Sequence, residues 1–142
     1  MDKKFWISGI VAAVLFFALG FVVHGMILHD DYLKLPNLFR TEQDAQAHMA
    51  YMVLANLIMG FAFAWIYRQG LAAGASWVQQ GIRYGIAVAL LTAVPWYLIY
   101  YTVQPWPGMV VVKQIVLETI SIIIVALVVA FIQKPSALAV TA

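Results

Sequence analysis

Two histidines and one glutamate stand inside long apolar runs, where ionisable side chains are rare and usually face a partner or a cavity. They are His24, His48 and Glu118. A pair of neutral imidazoles on adjacent helices can hold a b-type haem axially. With Met26, Met49 and Met52 close in sequence, the same pair can offer nitrogen and thioether ligands to copper. The plainer reading is two hydrogen-bonded, structural histidines with no cofactor, and this one leads. The metal candidates are therefore His24, His48, Met49 and Met52, with the metal unassigned.

Around them lie two polar stripes. His48, Met52 and Asn56 recur at i, i+4 and i+8, with Tyr51 and Met59 flanking; Gln114, Glu118 and Ser121 share a face by the same periodicity. In lipid such stripes must turn inward, because hydrocarbon offers no hydrogen-bond partner. Glu118 is expected to bond with Gln114 or Asn56. It serves either as a strut between helices or as a proton-sensitive, ligand-binding group. The run His29-Asp30-Asp31-Tyr32 has the residue types of a divalent-metal cluster, yet adjacent aspartates on a connection are more often simply solvated. Lys113 is expected to snorkel to an interface. The chain lacks H-E-x-x-H, G-x-S-x-G and phosphate-cradling glycine loops. It has no cysteine, which excludes disulfides and thiolate chemistry.

The elements that position these groups follow from composition. Of 142 residues, 65% are hydrophobic and 10% charged, against about 25% charged in soluble domains. Mean hydropathy is +0.92. Four segments are long and apolar enough to span a bilayer, which takes roughly 20 residues: about 5–28, 42–69, 77–102 and 109–133. The fold class read from this is all-α, an integral membrane four-helix up-down bundle with short connections, one domain over 1–142. Thr41 with Asp44, and Ser76 with Gln79, have capping-box spacing. Pro95 should kink the third helix, and Pro105, Pro107 and Gly108 separate it from the fourth. The first apolar run is too long for a signal-peptide core and reads as a retained span.

Lysine and arginine bias gives orientation. Lys3, Lys4, Arg68, Arg83 and Lys134 fall on one side, and Lys34, Arg40 and Lys113 on the other. The expectation is both termini in the cytoplasm. Taking each span's middle as the midplane, His24 lies roughly 12 Å and His48 roughly 13 Å toward the outside, from helical rise. Lys113 and Tyr97 come out near the same level. The candidate ligand-binding residues are His24, His48, Met52, Asn56, Tyr97, Gln114 and Glu118, the last about 4–5 Å from the midplane by helical rise, in a bundle closed at the cytoplasmic end and polar from its midplane to its outer mouth.

Gly81, Gly85, Ala89 and Ala93 form a small-residue face on the third helix, suited to close helix packing within the bundle or with another chain. Finally, Phe21–Arg40, Gly81-Ile-Arg-Tyr-Gly85 and the later Pro-Trp-Pro resemble small four-helix bacterial inner-membrane proteins of uncharacterised function. The resemblance implies a bacterial inner (cytoplasmic) membrane setting and brings no activity. The leading expectation is a non-catalytic accessory subunit, partnered by the lipid bilayer and by other membrane subunits or itself, with no nucleic acid. The alternative is a small membrane protein holding haem, quinone, copper or a lipid in its outer half.

Overall fold

The computed structural model describes residues 2–134. Met1 and residues 135–142 lie outside the described residues, and the placement of the two chain ends expected above falls there. All regular structure among the described residues is helical. The elements are α1 (Lys3–Gly20), which runs on as a π-helical segment Phe21–Ile27; α2 (His29–Leu33); a 3-10 turn Pro36–Leu38; α3 (Glu42–Ala47); α4 (Met49–Gln69); α5 (Trp77–Leu91); α6 (Ala93–Val103); and α7 (Gly108–Gln133). Four stretches are long and apolar enough to cross a membrane: Lys3–Ile27, Met49–Gln69, Trp77–Val103 and Gly108–Gln133.

Local chemistry explains the boundaries. Asp2 starts α1 by accepting the Phe5 N–H at 3.0 Å. Thr41 accepts the Asp44 N–H at 3.3 Å. Ser76 and Gln79 make a full reciprocal capping box at 3.0 and 3.3 Å. Two expected single helices are interrupted. The second breaks at His48, whose Nδ1 bonds the Asp44 carbonyl one turn back at 2.7 Å, a local side-chain bond that competes with helix continuation. The third breaks at Thr92 rather than at Pro95 itself. A proline ring collides with the carbonyl four residues earlier, so the distortion falls between Leu91 and Pro95. Thr92 there has φ −118° and ψ −78°.

α7 is the central helix. It packs against α1 on one side and α5 and α6 on the other, while α4 lies against α1. One core draws on all four long helices, including Ala12, Phe63, Ala89, Val125 and Val129. The small-residue face of the third helix is internal. A Cβ added at Gly81 would lie 3.0 Å from the Leu127 Cα, and one at Gly85 would lie 2.8 Å from the Ile123 Cα. Ala89 and Ala93 are buried on the same side. A second close crossing joins α1 and α4 at Gly60, where an added Cβ would meet the Ala13 backbone nitrogen at 2.5 Å and the Gly9 carbonyl oxygen at 2.6 Å.

One end of the molecule is tied shut. Arg68 donates to Asp2 and to Gln133, both at 2.6 Å, and Gln133 donates to Ser8 at 2.9 Å. The Arg68 guanidinium, helped by the Phe5 N–H, holds the Asp2 carboxyl below its usual range. Just inside this end, Tyr84 donates to the Phe63 carbonyl at 2.7 Å and packs on the rings of Phe63 and Tyr67, bridging α5 to α4. We call this the arginine end and the opposite one the histidine end.

Candidate functional site

At the histidine end α4 and α6 flank a cavity. The cavity between them has a volume of about 720 Å³. α1 and α7 form its back, with Phe16, Phe17, Gly20, His24, Glu118 and Ile122. Met49, Met52, Asn56 and Met59 line the α4 side; Ala93, Trp96, Tyr97 and Tyr100 line the α6 side. The wall is dominated by aromatic rings and thioethers, where the sequence led us to expect a polar mouth. Polarity is concentrated in a few groups at the back.

That polar cluster is built on His24. The π-helical segment widens the end of α1, with the Leu28 N–H bonded to the Val23 carbonyl at 2.9 Å; single π turns recur at functional sites. His24 Nε2 lies 2.8 Å from Glu118 Oε1 and 3.4 Å from the Tyr97 hydroxyl. Its Nδ1 lies 2.5 Å from the Tyr32 hydroxyl. Gln114 donates to that same hydroxyl at 3.1 Å. One proton arrangement satisfies the whole chain: the Gln114 amide donates to Tyr32, the Tyr32 O–H to His24 Nδ1, and His24 Nε2–H to the Glu118 carboxylate. Burial pushes the Tyr32 phenol above its ordinary value, and the charges of Glu118 and Asp31 add to this, while the Gln114 bond pulls the other way. Tyr32 therefore remains a hydroxyl donor across the physiological range.

The connection after the first long helix folds back over this end. Tyr32 packs against Phe39 and Trp106, with ring centroids 4.7 and 5.9 Å away. Lys113 donates to Asp31 at 2.7 Å, so it is an anchor for the connection rather than a side chain reaching alone for an interface. The Lys113 ammonium beside Asp31 holds that carboxyl below its usual range. A depressed carboxylate pKa stabilises the fold above the unfolded value of 3.8 and loses that contribution as pH falls through the lower folded value. We expect Asp31→Asn to lower the melting temperature at neutral pH, with the gap to the parent closing at pH values well below 3.8. Thermal unfolding across acidic pH checks this; a gap that persists unchanged in acid would show that the tie is not ionic.

The structure joins some of the expected site residues and not others. His24, Tyr97, Glu118 and Gln114 meet through Tyr32. Met52 and Asn56 line the facing wall, and Asn56 donates to the Met52 carbonyl at 2.8 Å. His48 does not line the cavity. Its imidazole bonds the Asp44 carbonyl and approaches the Asp44 carboxylate at 3.4 Å, and no contact links it to His24 among the described residues. The haem-ligating or copper-ligating pair is therefore not assembled: His24 has both ring nitrogens engaged by Tyr32 and Glu118. Met49 and Met52 face the cavity without a second imidazole beside them. The run from His29 to Tyr32 is likewise parted, Asp31 to Lys113 and Tyr32 to His24. Among the described residues no group of three His, Cys, Asp or Glu could hold a metal ion.

The partner of Glu118 also differs from expectation. It is His24 on α1, while Gln114 bonds Tyr32 and Asn56 bonds its own helix. Tyr32 was missed because the connection 29–40, the longest in the chain, reads as solvated at its His29-Asp30-Asp31 start. The available signal was an aromatic residue eight positions beyond His24, in a connection that must cross the bundle end.

The fold and site together define an all-helical chain with four span-length helices, a tied end and an aromatic cleft backed by a His–Glu–Tyr cluster. Comparison with protein-family models, curated proteins and solved structures finds no match to this chain.

Proposed function

We propose that this protein is a four-span, up-down bundle of a bacterial inner membrane that binds a small, mostly apolar ligand through one hydrogen-bonding head. In this reading the arginine end faces the cytoplasm, consistent with the basic-residue bias, and the cleft lies in the outer half. The observation that carries it is the cleft of about 720 Å³, within the range of small-molecule sites, with few polar groups converging at its back. Hydrocarbon rejects lone ionisable groups, and the His24–Glu118 pair is placed where a ligand head can use it. The accessory-subunit reading draws no support from the small-residue face, since α7 already occupies it.

The test is to purify the protein in mild detergent, extract it with organic solvent and identify lipophilic species by mass spectrometry. We expect one species enriched over the bulk membrane extract at near-equal stoichiometry. Gly20→Phe is the blocking variant. Gly20 lines the cleft, and a Cβ there meets nothing within 4 Å, so a ring at this position fills the cavity without moving backbone. Its extract should lose the species while the protein stays monodisperse. Absence of any enrichment in the parent sinks the reading.

A further inference from the structure

We infer that the ligand is a prenyl-type quinone or quinol, with its ring in the cleft beside His24 and its tail in a groove between α1 and α4. This deepens the ligand-binding reading and rests on it. The groove is a second cavity, of about 270 Å³, lined by Ala13, Val14, Ala18, Val53 and Leu57 together with Phe17 and Asn56. Phe17 and Asn56 also line the cleft, so the two spaces share a border. Apart from Asn56, every groove residue is apolar, which suits a hydrocarbon chain and nothing polar. Val14 and Ala18 precede His24 by about 9–15 Å of helical rise. A head at His24 and a tail in the groove thus form one elongated ligand.

The head chemistry follows from the cluster. Tyr97 can donate to a ring carbonyl, and the Glu118 carboxylate can accept from a ring hydroxyl, so the site accommodates both a quinone and a quinol. Phe16, Phe21, Trp96 and Tyr100 supply ring faces and edges around it, suited to stacked or edge-on packing against a flat ring. A phosphate head is disfavoured. It would sit beside the Glu118 carboxylate, and the nearest lysine of α7, Lys113, is already held by Asp31 at 2.7 Å.

The experiment titrates the protein, in phosphatidylcholine nanodiscs, with decylubiquinone and with the same dimethoxy-methyl benzoquinone lacking a tail, read by isothermal titration calorimetry. We expect the tailed probe to bind more tightly. Leu57→Trp should fill the groove and weaken the tailed probe about tenfold, a loss of about 1.4 kcal/mol, leaving the tailless probe unchanged. Leu57 is exposed and outside the cleft, and Val53→Trp is a second groove variant should the first misfold. If both probes bind the parent alike, or the groove variants leave the tailed probe untouched, the tail assignment is wrong. If neither probe binds, yet a different species co-purifies with the parent and is lost from Gly20→Phe, the quinone assignment fails while the cleft remains a ligand site.

Discussion

Gly60→Ala should destabilise the protein by about 1–3 kcal/mol, the usual cost of overpacking a close contact, and Gly60→Leu should prevent α1 and α4 from docking. An alanine Cβ at this position would lie 2.5 Å from the Ala13 nitrogen, 2.6 Å from the Gly9 oxygen and 2.7 Å from the Ala13 Cβ. Two of those three atoms are backbone, so relief requires the helices to separate. Separation loses packing along the whole α1–α4 contact. The control is Gly20→Ala, on the same pair of helices but in open space. There the added methyl should be neutral or stabilising, by up to about 0.5–1 kcal/mol, because alanine loses less backbone entropy than glycine in a helix. Unfolding in detergent, by heat or denaturant, compares the two. Equal effects at both sites would mean that α1 and α4 do not cross as closely as described.

The second large effect is expected at Glu118. Glu118→Leu keeps approximate volume but removes the acceptor 2.8 Å from His24 Nε2. His24 would then have only the Tyr97 hydroxyl, at 3.4 Å, on that side. Leaving a buried donor unmatched costs about 1–3 kcal/mol; with side chains 36% and 22% exposed, water screens part of this and the lower half of the range is expected. Ligand binding should fall at least tenfold, because the head group loses its acceptor. Glu118→Gln separates the two roles. Its side-chain oxygen still accepts from His24, so stability should stay within about 1 kcal/mol of the parent, the difference between a charge-assisted and a neutral hydrogen bond. Glutamine is neutral, so ligand binding that uses the carboxylate should weaken while the fold holds. If Glu118→Gln binds ligand as the parent does, Glu118 is a strut between α1 and α7. If Glu118→Leu leaves both stability and binding unchanged, the cluster has no role in either.

The structure changes what each of these residues means. Depth was readable from the linear chain. Helical rise puts His24, His48, Lys113 and Tyr97 in one outer layer and Glu118 nearer the midplane; in the structure His24 meets Tyr97 and Glu118, while Lys113 turns to Asp31. His48 was placed in that layer by the same arithmetic and does not join. Its imidazole finds a carbonyl on its own chain first, at the break between α3 and α4. The Gly60 crossing could have been suspected, since Gly9-x-x-x-Ala13 and Gly60-x-x-x-Ala64 both have small-residue spacing. The glycine and alanine repeat on the third helix is longer, so spacing alone ranks it above this pair.

The sequence by itself determined the four long apolar stretches, the caps at Thr41 and Ser76, a proline-linked distortion of the third stretch, and the shared level of His24 and Tyr97. These quantities are one-dimensional. Apolar run length, capping chemistry and rise per residue act within a single helix and need no knowledge of its neighbours. Tertiary structure decided everything that depends on rotation about a helix axis and on which helices touch. α7 packs between α1 and α5, so Glu118 meets His24 rather than Asn56. The π-helical segment ends α1 so that the chain can return Tyr32 to the other ring nitrogen of His24. Tyr84 joins α5 to α4 at the arginine end, and beyond Thr92 α6 and α4 flank an open cleft. Side-chain azimuth and helix adjacency come from the packing of all four helices at once, and no local spacing rule encodes them.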